Sequence, residues 1–111
     1  MSENKDHGAK KKLFASLAQP LPVHYPSLSS AMRKQVREAY VYKQKGLCAH
    51  CNTKLIEEPD ILIQRAWIDE KLFPEGFFDH PIHLHHDHNT GKTIGAIHAR
   101  CNAYLWQYKG E

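Results

Sequence analysis

Three cysteines and one of nine histidines stand at the ends of two short half-sites, Cys48-Ala-His-Cys51 and His98-Ala-Arg-Cys101. A two-residue gap lets a tight loop turn both side chains toward one point, and two such loops complete a tetrahedron. Three thiolates and one imidazole fill every position, so a zinc held there is structural and has no open place for water. His50, between the first two cysteines, is expected to point outward. A redox Cys-x-x-Cys would not require the second half-site, and an odd number of cysteines does not suggest a disulfide framework.

A second group follows a different logic. Five of the histidines fall between His80 and His88, and Asn102 comes directly after the last cysteine. Zinc that ties the two half-sites together also fixes where Asn102 points. A side chain from a strand end and one from a helix start can then share a second, open metal, while a neighbouring imidazole polarises a water. Without Asn102 and the zinc frame, the same histidines would read as an adventitious metal patch or a second zinc site.

The elements that must position these groups can be read in outline. Residues 1–26 form a basic, proline-containing flexible arm, of which 13–26 is an extended connector able to dock over the core. A helix is expected from about Ser30 to Lys45, capped by Ser29 or Ser30 and ended by Gly46, with Met32, Val36 and Tyr40 on its apolar face. Residues 55–80 are the least legible; Leu62, Ala66, Ile68 and Phe73 fit either a helix or an irregular insertion. Residues 81–86 read as a strand, Asn89-Thr-Gly91-Lys as a turn and 93–97 as a second strand. Residues 99–108 read as a closing helix with Ala103, Leu105, Trp106 and Tyr108 available to the core. Alternation along the first strand puts His83 and His85 on one face and His86 on the other. The strand is therefore expected to end or twist there, so that the ligand His85 and the base His86 converge on one site. His83 has no assigned role.

The run His85-His-Asp-His-Asn-Thr-Gly-Lys-Thr-Ile-Gly-Ala-Ile-His-Ala-Arg-Cys-Asn102 resembles the active-site stretch of the phage recombination endonuclease VII family within the HNH nucleases. That pattern is Asp-His-x-His, a Thr-Gly turn, a Gly-containing strand and Cys-x-x-Cys-Asn, with an earlier Cys-x-x-Cys completing a zinc site. The resemblance spans about Cys48 to Tyr108. It implies an α+β fold: a small zinc-stapled ββα-metal (His-Me finger) domain over residues 27–111, with an N-terminal helix. It further implies that His86 is the general base and His88 supports the phosphate or the metal. His85 and Asn102 would hold the catalytic ion, and Cys48, Cys51, His98 and Cys101 the structural zinc. Two positions depart from the family. Its metal-binding Asp is His85 here, and one zinc cysteine is His98. Adjacent histidines also serve colicin-type HNH nucleases, one as ligand and one as base, and Cys₃His is a standard zinc set.

Charge bears on the partner. Net charge is +3 over 111 residues, yet residues 1–50 carry nine Lys or Arg against three acids and residues 51–111 six against nine. A basic N-terminal half fits a polyanion, and Lys10, Lys11, Lys12, Arg33, Lys34, Arg37, Lys92 and Arg100 are the candidate DNA contacts. With 41% hydrophobic and 24% charged residues, the chain reads as one small globular domain, a monomer or homodimer with no membrane span. It is expected in the cytoplasm, and the resemblance suggests a phage or mobile-element origin. The expected function is metal-dependent hydrolysis of DNA, with structural Zn²⁺ and a catalytic Mg²⁺, Mn²⁺ or other divalent ion. The competing reading is a non-catalytic zinc-stabilised DNA-binding module.

Overall fold

Ser29, the cap for the first helix, accepts a hydrogen bond from the Met32 amide at 3.2 Å. The computed structural model describes residues 20–111, and helix α1 runs over Ser30–Lys43. Val36, Ala39 and Tyr40 form its buried stripe, at the spacing an amphipathic helix requires. Lys45 and Gly46 then adopt left-handed backbone angles, φ 57° and 78°, which stop it. Strand β1 covers Ile82–His86, strand β2 covers Thr93–His98, and helix α3, Ala99–Lys109, begins directly after β2. Between α1 and the hairpin lie a short helix α2, Ile61–Arg65, and two 3₁₀ turns at Glu70–Leu72 and Phe77–Asp79. The chain is a small α+β fold in which α1 and α3 each pack against both strands of a two-stranded antiparallel sheet.

The hairpin register places Ile82 opposite His98 and His85 opposite Gly95, then slips, so that His86 faces Thr93. The expected irregularity therefore falls between His85 and His86. The turn is closed by the Asp87 carboxylate, which accepts the amides of Asn89 at 2.7 Å and Thr90 at 2.9 Å. Asp87 is thus a turn builder.

The outer edge of β2 is satisfied by a side chain. Gln44 accepts the Ala96 amide at 2.9 Å and donates to the carbonyls of Ala96 at 2.9 Å and Leu47 at 2.7 Å. This clamp covers an edge that would otherwise present free backbone groups. It also explains Gly95, where an added Cβ would meet the Gln44 Oε1 at 2.8 Å and the Ala49 Cβ at 3.0 Å. Gly95→Ala should therefore cost about 1–3 kcal/mol, the usual penalty of overpacking. Thermal unfolding checks this; an unchanged midpoint would mean that the clamp yields without loss.

Three expectations need correction. The flexible arm does not extend to residue 26. Val23 is buried, and its amide and carbonyl pair with the Thr93 hydroxyl at 3.0 Å and the Thr93 amide at 2.8 Å. Tyr25 donates its amide to the Gly91 carbonyl at 2.7 Å. Apolar Val23 docks on the hairpin, as expected of a connector over the core, so the label of flexible arm fails for residues 20–26. Lys10, Lys11 and Lys12 lie outside the described residues. In the segment 55–80, the inward residues are Leu55, Ile63 and Ile68, whereas Leu62 is 75% exposed. One helical turn was too short to carry a readable period. Trp106 and Tyr108, expected in the core, stay about half exposed; Ala99, Cys101, Ala103 and Leu105 form the buried face of α3.

Candidate metal centre and histidine cavity

Cys48, Cys51, His98 and Cys101 converge so that their ligand atoms all lie within 4.8 Å of one another. Cys48 Sγ is 3.8 Å from Cys101 Sγ, and His98 Nδ1 is 3.5 Å from Cys51 Sγ and 3.8 Å from Cys101 Sγ. A tetrahedral zinc with ordinary bond lengths needs sulfur–sulfur edges of about 3.8 Å and sulfur–nitrogen edges of about 3.5 Å. The donor set and its spacing fit such a metal. The half-sites are brought together by the Cys48–Asn52 turn and by the β2–α3 junction, where Cys101 lies in the first turn of α3. His98 turns its other ring nitrogen, Nε2, to the carbonyls of Lys54 at 3.0 Å and Glu57 at 2.9 Å. A hydrogen bond of that kind fixes the tautomer that leaves Nδ1 free to ligate.

The thiols themselves favour a cation. The hydrogen bond from Cys101 draws the Cys48 thiol down to about 4. Cys101 is pushed far up by the same contact and by burial. With protein atoms alone the crowded sulfurs cannot all ionise together; a divalent metal removes that conflict. His50 is exposed, its ring 5.9 Å from that of Tyr104, and stands outside the cluster as expected.

The second group lines a cavity of about 510 Å³ whose walls include Tyr25, Arg33, Arg37, His80, His83, His86, His88 and Asn102, with Phe73, Phe77 and Trp106 as apolar surfaces. Asn102 directly follows a metal-cluster cysteine, so the cluster positions it. Its Nδ2 donates to His83 Nδ1 at 3.1 Å. His83 in turn donates from Nε2 to the Phe77 carbonyl at 2.8 Å. His86 stacks on Tyr25 with ring centroids 3.9 Å apart and planes 6° apart, and lies 5.0 Å from His88. Arg33 sits over the same tyrosine, 4.3 Å from its centroid, and its buried Nε has no hydrogen-bond partner. His85 is only 6% exposed and lines a second, small cavity with His86, His88 and Glu111, its Nε2 likewise without a partner. The structure thus pairs Asn102 with His83 and sets His85 in a neighbouring cavity whose walls also include His86 and His88.

Electrostatics favour neutral imidazoles. Burial lowers the pKa of His83, His85 and His86, and for His86 the neighbouring His88, His85 and Arg33 add to the effect. Among the candidate DNA contacts, Arg33 and Arg37 face the cavity, and Lys34 and Lys92 are exposed. Arg100 is different. Its guanidinium donates to the carbonyls of Ile63 at 3.0 Å, Gln64 at 3.2 Å and Ala66 at 2.6 Å. It closes the end of α2, so the expected DNA contact is corrected to a structural tie. Sequence reasoning missed His83 and Tyr25; the carbonyl that orients His83 belongs to a 3₁₀ turn in the segment with no readable period.

Compared with known proteins, the chain matches no protein-family model, no curated protein and no solved structure. Among the described residues, no helix is long and apolar enough to cross a membrane.

Proposed function

We propose that this chain is a metal-dependent DNA endonuclease of the HNH, or ββα-metal, type. The observation that carries the reading is the junction of the two sites. Cys101 belongs to the Cys₃His cluster, and the next residue, Asn102, enters a cavity that also holds His83, His86, His88, Arg33 and Arg37. A frame of three cysteines and a histidine thereby holds an amide beside imidazoles and two guanidinium groups, which is the equipment phosphodiester hydrolysis needs. The resemblance in residues 85–102 supports the same assignment.

In this reading, Arg33 and Arg37 hold the scissile phosphate, Arg33 with the Nε that lacks a protein partner. His86, kept neutral by its surroundings, takes a proton from the water that attacks phosphorus. His88 orders the phosphate beside it. His85 and Asn102 are the residues that would hold a divalent ion, which supplies positive charge to the phosphate and the departing 3′-oxygen when bound. Water adds to phosphorus as the 3′-oxygen leaves, and that oxygen is protonated from solvent.

Nicking of supercoiled plasmid by the zinc-loaded protein, with and without added divalent ion, tests the proposal. Because the ligands are nitrogen and neutral oxygen, Mn²⁺, Co²⁺ or Ni²⁺ should support cleavage at least as well as Mg²⁺, which favours charged oxygen. Strict Mg²⁺ dependence would contradict this ligand set. Retained DNA binding with no cleavage under any ion would instead favour the non-catalytic DNA-binding module.

A further inference from the structure

We infer that His83, which the reading above leaves without a task, is a direct metal ligand, and that a divalent ion is held by His83 Nδ1, His85 and Asn102 together. The inference rests on the proposed function only for the His85–Asn102 pair. Three observations lead to it.

The first is the state of the His83 ring. Its Nε2–H is engaged by the Phe77 carbonyl at 2.8 Å, which leaves the Nδ1 lone pair aimed at Asn102, 3.1 Å away. Metal-ligating histidines characteristically anchor the second ring nitrogen on a backbone carbonyl or carboxylate. This chain contains an internal example: His98 presents Nδ1 to the Cys₃His cluster and anchors Nε2 on two carbonyls. His83 has the same arrangement, with Asn102 where the cluster would be.

The second is strand geometry. His83 and His85 stand two apart in β1, before the register slips, so both project from one face with their Cβ atoms about 7 Å apart. Two imidazoles at that spacing can close on one ion. The third is the buried, unpartnered Nε2 of His85. An orphaned buried nitrogen costs about 1–3 kcal/mol and calls for a partner. An amide flip would present Asn102 Oδ1 beside the His83 nitrogen, and the cavity that His85 lines adjoins theirs through the shared walls of His86 and His88.

The test is calorimetric titration of the zinc-loaded, full-length protein with Ni²⁺, a probe suited to imidazole ligands. One Ni²⁺ beyond the zinc is expected. His83→Ala should weaken it by at least the 10- to 100-fold seen when only an outer-shell partner of a metal site is removed. Because His83 packs edge-on to Phe77 at 4.5 Å, His83→Phe is the companion variant: it keeps a ring against Phe77 and removes both nitrogens. In the unmodified protein, nitrogen-15 NMR of the histidine rings should show Nδ1 of His83 perturbed at saturating metal while its Nε2–H persists. Absence of a second ion, wild-type affinity in a folded His83→Phe, or an unperturbed Nδ1 overturns the inference. Cleavage is not the readout. Intact Ni²⁺ binding through His83 in a protein that never nicks DNA would sink the nuclease reading and leave the metal site standing.

Discussion

His86→Ala is expected to keep its fold, its Cys₃His metal and its DNA binding while losing cleavage. General-base assistance is worth about 10² to 10⁴ in rate, so single-turnover nicking should fall by that factor. The fold should survive because the substitution forfeits mainly the stack on Tyr25, worth about 0.5–1.5 kcal/mol. His88→Ala is the informative neighbour, 5.0 Å away in ring centroid. Loss of cleavage in His88→Ala alone would move the base by two residues. Normal cleavage in both would end the HNH assignment. The pH profile of the parent protein gives an independent check. Burial first, then the charges of His88, His85 and Arg33, lower the His86 pKa. Imidazolium cannot accept a proton, so activity should stay level through the ordinary imidazole value of about 6.5 and decline only below it. A decline centred above that value would contradict the environment described for His86.

Cys101→Ala should leave no folded domain. Binding of structural zinc contributes on the order of 10 kcal/mol in zinc-finger peptides, comparable with the whole net stability of a small domain, about 5–15 kcal/mol. Cys101 is also fully buried in the first turn of α3, so its loss removes the ligand and the packing together. Circular dichroism and elemental analysis measure the two consequences. A folded Cys101→Ala protein, or a folded wild type without metal, would show that the apolar core suffices. Acid should unfold the wild type as well. His83, His85 and His86 have folded-state pKa values below the unfolded one. Their contribution is therefore complete above about pH 6.5 and is lost as pH falls through that value toward the folded pKa values, because the unfolded chain takes up protons first. Protonation of the thiolates removes the metal in the same direction.

The Cys₃His cluster was legible because its information is local. Two Cys/His half-sites of fixed spacing specify a tetrahedral set wherever the loops fall, and Cys48, Cys51, His98 and Cys101 meet as their spacing implied. The helix over Ser30–Lys43, both strands and the closing helix were legible for the same reason: a cap, a left-handed stop and an apolar period are all written within a few residues. What tertiary structure decided is which side chains share a space. No sequence period reveals that Phe77, in an irregular segment, holds the His83 ring, or that Asn102 meets His83 while His85 lines a different cavity. Nor could local pattern show that Arg100 would close α2, since a guanidinium meets whichever carbonyls a distant helix end leaves open. Gln44 is the same case, a polar residue whose role exists only because β2 has an uncovered edge beside it. Spacing along the chain fixes ligands and elements; the orientation of a ring or a guanidinium is set by unpaired backbone groups that only the packed fold brings near.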